Sequence, residues 1–233
     1  MVHGTLVIDG GGGQVFPHRE NLSYELALKE ELLEILEQVE LLYGPRDRSY
    51  EMLEPRITEC LYAHPAIYGP GKIRIYLTKG AKGNRYIAAT ELAHEAVHAL
   101  TPEFLGQGDT ILEEGLAEYF ACKYMKRNYG VQYETTGYRE YDAALQAVTK
   151  LLAKDEFLIK DLRTHQPVIA KIDEKLLVDV GGVEPDLAKF LCKDFWSYWD
   201  PPSSSSTRAT QRAQLFTRGV KSFWDDWKSE PKD

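Results

Sequence analysis

From Arg85 to about Leu100 the chain carries a helical pattern of small and apolar residues that encloses two histidines and two glutamates. Ala88, Ala89, Leu92, Ala93, Ala96 and Val97 set that pattern. Side chains this small let a helix pack closely on its neighbours, so the rest of the fold has to be built around this segment. Thr101-Pro102 ends it, because the residue before a proline is pushed out of helical geometry. Upstream, Lys72 to Thr78 (KIRIYLT) alternates β-branched or aromatic residues with polar ones, a strand signal. The turn Tyr68-Gly-Pro-Gly71 precedes that strand, and the glycine-containing loop Lys79 to Asn84 follows it.

Further elements can be read on either side. Leu22 to Tyr43 has apolar residues at Leu22, Leu26, Leu33, Leu36 and Val39 among many glutamates, an amphipathic helix stopped by Gly44-Pro45. Tyr50 to Tyr62 is predicted as a second helix. Thr110-Ile-Leu-Glu113 is a capping-box pattern that opens a helix running to about Met125. Glu140 to Ala153 and Pro185 to Trp199 are predicted helices. At the N-terminus Leu6 to Asp9 reads as a short strand and Gly10 to Gly13 as a flexible turn, since no GK[ST] follows as a phosphate loop requires. Pro201 to Ser206 is a linker by composition, and Gln211 to Trp227 reads as a last amphipathic helix. The expected organisation is one domain over residues 1–200, then a Ser/Pro linker and a C-terminal helix over 201–233.

Composition narrows the function classes. A net charge of -8 argues against nucleic-acid binding, which calls for a basic face. No apolar run reaches the roughly 18 residues needed to span a bilayer, so no membrane partner is expected. Cys60, Cys122 and Cys192 are odd in number and far apart, which fits reduced thiols. Together with the lack of a basic segment followed by an apolar core at the N-terminus, this gives an expected cytoplasmic location.

His94-Glu95-Ala96-Val97-His98 carries the chemistry. Four residues of α-helix rotate about 400°, so both imidazoles share one face, a turn apart, and can ligate one ion at about 2.0–2.1 Å. Glu95 reaches the same edge and can take a proton from water held there. Random ordering of 6 His and 22 Glu in 233 residues gives roughly 0.015 such matches per chain. Catalytic zinc usually has three protein ligands. The segment Leu112-Glu-Glu-Gly-Leu-Ala-Glu-Tyr119 offers the third: Glu114 is the leading candidate and Glu118 the alternative, with Glu113 assigned to the helix cap.

HEAVH followed by EEGLAEYF resembles the gluzincin metallopeptidases, and the Glu-Glu-Gly-x-Ala-Glu wording is especially similar to their bacterial collagenase branch. The resemblance covers Lys72 to about Met125, under a quarter of the chain. It implies zinc held by His94, His98 and Glu114, Glu95 as general base, and Glu118 as an acid orienting a ligand histidine. It also implies a Tyr, His or Arg that stabilises the oxyanion; among Tyr133, Tyr138, Arg139, Tyr141 and His165, Tyr138 is chosen. The implied fold is α+β and zincin-like: a small, mostly antiparallel sheet on the active-site helix, then a mainly helical lower half. The implied substrate is a peptide or protein, bound extended against strand Lys72–Thr78. The pattern Glu114, Ala117, Phe120, Ala121 is also similar to the ImmA/IrrE-like proteases, which cleave one specific protein partner. A zinc-binding module without catalysis is the non-enzyme alternative. The C-terminal helix is a candidate surface for a protein partner.

Overall fold

The computed structural model describes residues 24–102, 109–132, 136 and 138–199. The predicted N-terminal strand, glycine turn, Ser/Pro linker and C-terminal helix lie outside those residues. The chain opens with α1 (Tyr24–Tyr43), followed by four short strands: β1 (Glu51–Met52), β2 (Arg56–Ile57), β3 (His64–Ile67) and β4 (Lys72–Leu77). Eight helices are described in all, the rest being α2 (Arg85–His98), α3 (Ile111–Tyr129), α4 (Arg139–Leu152), α5 (Leu158–His165), α6 (Glu174–Asp179), α7 (Pro185–Leu191) and α8 (Phe195–Trp199). The fold is α+β, a small sheet with mostly helices around it. No described helix is long and apolar enough to cross a membrane.

β4 is the centre of the sheet. β1 and β2 run parallel to it and β3 antiparallel, so the sheet is mixed rather than mostly antiparallel as expected. The N–H groups of Glu51, Leu53 and Thr58 donate to the carbonyls of Gly71, Ile73 and Leu77 along one edge of β4. The helix predicted for Tyr50–Tyr62 does not form, and Pro55 supplies the reason. A helix interior rejects proline, and the residue before it is driven to extended geometry. Leu53, Ile57 and Leu61 mimic a helical spacing, yet Leu61 is exposed. Pro55 also has no N–H to give to the sheet, and the ladder breaks there. Glu51 pairs with Lys72 but Arg56 with Tyr76, a one-residue shift of register across the proline.

β3 occupies the other edge, with His64 opposite Tyr76 and Ile67 opposite Ile73. Tyr68 N–H donates to the Lys72 carbonyl. Hydrogen-bonded pairs alternate along an antiparallel ladder, so His64 and Ala66 turn their backbone groups to β4, whereas Pro65 and Ile67 turn theirs outward. Both edges of β4 are therefore filled, and extended pairing of a peptide against β4 is ruled out. Among the described residues no strand covers the outer edge of β3.

One apolar core joins the sheet to the helices: Leu32, Ile35 and Val39 of α1, Ile75 and Leu77 of β4, Leu92 and Ala96 of α2, Leu116 and Phe120 of α3, and Val148 of α4. The segment predicted as one helix from Pro185 to Trp199 is broken into α7 and α8. Its middle is used elsewhere: Asp194 forms a β-bridge with Thr110, Ile111 N–H donates to the Lys193 carbonyl, and Phe195 N–H donates to the Asp109 carbonyl. Backbone groups committed to that bridge cannot continue a helix. The end of the described chain is thereby fastened to the start of α3.

Candidate metal centre

α2 and α3 present the site. Asn84 caps α2 by accepting from the Ile87 N–H, and Glu91 fixes the rotation of the helix one turn before the motif. The Glu91 carboxylate accepts from the Thr78 N–H at 2.9 Å and from the Thr78 hydroxyl, locking α2 to the end of β4. His94, Glu95 and His98 then face α3. On α3, Thr110 accepts from the Glu113 N–H at 3.2 Å, which sets the first helical turn. Glu113 and Glu114 project from that turn, and Glu118 from the next.

The two imidazoles meet through their Nε2 atoms, 3.3 Å apart. Glu114 Oε2 lies 3.5 Å from His94 Nε2, and Glu114 Oε1 lies 3.9 Å from His98 Nε2. Each ring has its other nitrogen engaged by a carboxylate: His94 Nδ1 sits 3.1 Å from Glu118 Oε1, and His98 Nδ1 sits 3.3 Å from Glu113 Oε1. A neutral ring that donates from Nδ1 carries only a lone pair on Nε2. With the ring protons on Nδ1, His94 Nε2, His98 Nε2 and a Glu114 oxygen can offer lone pairs to one place.

That arrangement fits a metal ion on two counts. A tetrahedral ion with bonds of about 2.05 Å spaces its ligand atoms roughly 3.3 Å apart, close to the distances seen here. Glu114 Oε2 is also buried with no hydrogen bond, 3.5 Å from His94 Nε2, and a buried carboxylate oxygen so placed favours a cation beside it. One carboxylate and two imidazoles suit zinc. A carboxylate oxygen of Asp109 falls within 4.8 Å of the His98 and Glu113 ligand atoms, but the Asp109 side chain also accepts from the Trp196 indole at 3.2 Å.

The electrostatics agree. Glu95, Glu113, Glu114 and Glu118 surround only two imidazoles. Burial opposes charge on His98, yet the Glu113 bond and the Glu114 and Glu95 charges outweigh it and hold its pKa up at about 10. His94 is likewise raised: burial opposes its charge, and the Glu114 and Glu118 carboxylates overcome that. This carboxylate cluster draws in positive charge, whether protons or a metal ion. Burial pushes the Glu95 carboxyl up to about 7, the range suited to taking and returning a proton near neutrality.

Glu118, read from sequence as an orienting acid or an alternative third ligand, reaches the far nitrogen of His94, while Glu114 faces both Nε2 atoms. Glu113 does only half of what its capping pattern implied. Its N–H is capped by Thr110, but its carboxylate turns away from the backbone to His98.

Tyr138 is the N-cap residue of α4 and is exposed. One turn later, Tyr141 packs edge-on to His94, with ring centroids 6.2 Å apart, and is backed by Phe195 and Trp196. Burial, with the Glu114, Glu118 and Glu95 charges, holds the Tyr141 phenol protonated far above its ordinary range. Tyr141 is among the five residues that the sequence offers for the oxyanion role, three positions after the chosen Tyr138. Arg139 begins α4, His165 closes α5, and His64 stacks on Tyr76; none belongs to the His94–His98–Glu114 group. Tyr133 lies outside the described residues. Comparison with family models, with curated proteins and with solved structures finds no match for this chain.

Proposed function

We propose that the chain is a zinc-dependent metallopeptidase of gluzincin type, in a zincin-like arrangement of sheet and active-site helix. The observation that carries this reading is the convergence of three metal-ligating side chains, His94, His98 and Glu114, with ligand atoms within 4.8 Å of one another, beside the buried carboxyl of Glu95. An ion bound there supplies Lewis acidity for a scissile carbonyl and acidifies attacking water.

The chain's own groups do the rest. Glu95 takes the proton of the attacking water and returns it to the leaving amine, a task that its raised pKa favours. The Tyr141 phenol, kept protonated, donates to the oxyanion as it develops. Glu118 keeps His94 in the tautomer that turns Nε2 inward. The outer edge of β3 receives the substrate as an added strand, with the Ile67 N–H and the Pro65 and Ile67 carbonyls available for pairing.

The test is Glu95→Gln. The variant should retain about one zinc per chain by elemental analysis and lose roughly 10²–10⁴-fold in hydrolysis of a peptide library relative to the parent. Parent-like cleavage by the variant excludes this mechanism. Zinc in both proteins with no cleavage by either leaves a non-catalytic metal module. Tyr141→Phe should lower kcat by about 10²-fold with zinc content unchanged, while Tyr138→Phe leaves kcat within about twofold.

A further inference from the structure

We propose that Glu113 is a positioning residue of the metal centre, fixing His98 as Glu118 fixes His94, so that one helix supplies the ligand carboxylate and both orienting carboxylates. The inference rests on reading the His94–His98–Glu114 group as a metal centre. Three observations carry it. Glu113 is buried, yet its carboxylate takes no part in the helix cap that its place in the sequence prepares. That carboxylate lies 3.3 Å from His98 Nδ1, the nitrogen opposite the one facing Glu114. The other imidazole has the same relation to Glu118, at 3.1 Å.

The geometry of α3 makes this double clamp feasible. Glu113, Glu114 and Glu118 fall about 100° and 400° apart around the helix, so Glu114 and Glu118 stack on one face and Glu113 stands beside them. The two histidines lie one turn apart on α2, and each therefore meets a different acid. Without its acid, an imidazole can rotate about χ2 or shift its proton to Nε2, and in either case it stops being a ligand. Two clamps hold both rings in their ligating orientation before an ion arrives, which reduces the ordering cost of binding. Asp109 is an inferior substitute because its carboxylate is shared with the Trp196 indole.

The experiment measures Co2+ and Zn2+ dissociation constants of the full chain by competition with a chromophoric chelator. The proteins are the parent, Glu113→Ala, Glu113→Gln and Thr110→Ala. Glu113→Ala should bind each ion 10–100-fold more weakly than the parent. Glu113→Gln, which keeps an acceptor of the same shape, should recover part of the loss and stands in if the alanine variant fails to fold. Thr110→Ala removes the cap on the same turn. It should lower Tm and weaken ion binding by less than Glu113→Ala does, which separates positioning from helix stability. In the metal-loaded parent the His98 Nδ1 proton should appear as a slowly exchanging imidazole NMR signal that Glu113→Ala abolishes. Parent-like affinity in both Glu113 variants overturns the inference while leaving the metal centre intact. Failure of the parent to bind either ion overturns the metal centre itself.

Discussion

Glu114→Ala is expected to lose bound zinc, with the dissociation constant rising by more than about a thousandfold, because in the proposed site it removes one of three protein ligands. The side chain is buried, its Oε2 makes no hydrogen bond, and its two oxygens lie 3.5 Å from His94 Nε2 and 3.9 Å from His98 Nε2. In the presence of a chelator the alanine variant should melt below the parent, because the two buried imidazoles lose a carboxylate that offsets their charge. The stabilisation that zinc gives the parent should vanish in the variant. Differential scanning calorimetry with and without zinc reads both effects. A variant that is still stabilised by zinc as strongly as the parent would rule out Glu114 as the third ligand and turn attention to Glu113 and Asp109, which also flank His98.

Gly115→Ala is expected to destabilise the protein by about 2–4 kcal/mol, against the ordinary sign for such a change. In an unobstructed helix, alanine is better than glycine by roughly 0.5–1 kcal/mol. A Cβ at Gly115 would stand 2.6 Å from the Ala144 carbonyl oxygen and 2.6 Å from Val148 Cγ2. The first of these is backbone, which cannot swing aside, so α4 as a whole has to retreat from α3. Tyr141 rides on α4 one turn before Ala144, and Glu114 is the residue next to the glycine. The same substitution should therefore weaken zinc binding and hydrolysis as well as stability. Denaturant midpoints of the metal-free proteins give the sign, and a stabilised variant would show that the close approach of the two helices is not needed.

Much of the site was legible in the sequence because helical periodicity is a strong local rule. His94 and His98 share a face by spacing alone, and the resemblance around Gly115 singled out Glu114, which faces both Nε2 atoms. What escaped was decided by partners distant in sequence. Glu113 fits a capping box locally, and nothing near it shows that His98 waits across the helix interface. Tyr138 and Tyr141 are three residues apart, and which of them faces His94 depends on where α4 begins. Tyr138 lies one residue outside that helix. In the sheet the failure was different. Leu53, Ile57 and Leu61 have a helix's spacing, and Pro55 was the local signal that outweighed it. The short helices α5 and α6 have too few turns for periodicity to declare them.

The bridge between Thr110 and Asp194 has a consequence for how the molecule opens. It ties the last described helix to the turn from which Glu113 and Glu114 project, and Phe195 and Trp196 press from there on Tyr141. Detaching α8 therefore releases the first turn of α3 and the packing on Tyr141 in one event. The amide protons of α8 and of the first turn of α3 are therefore expected to exchange at one common rate.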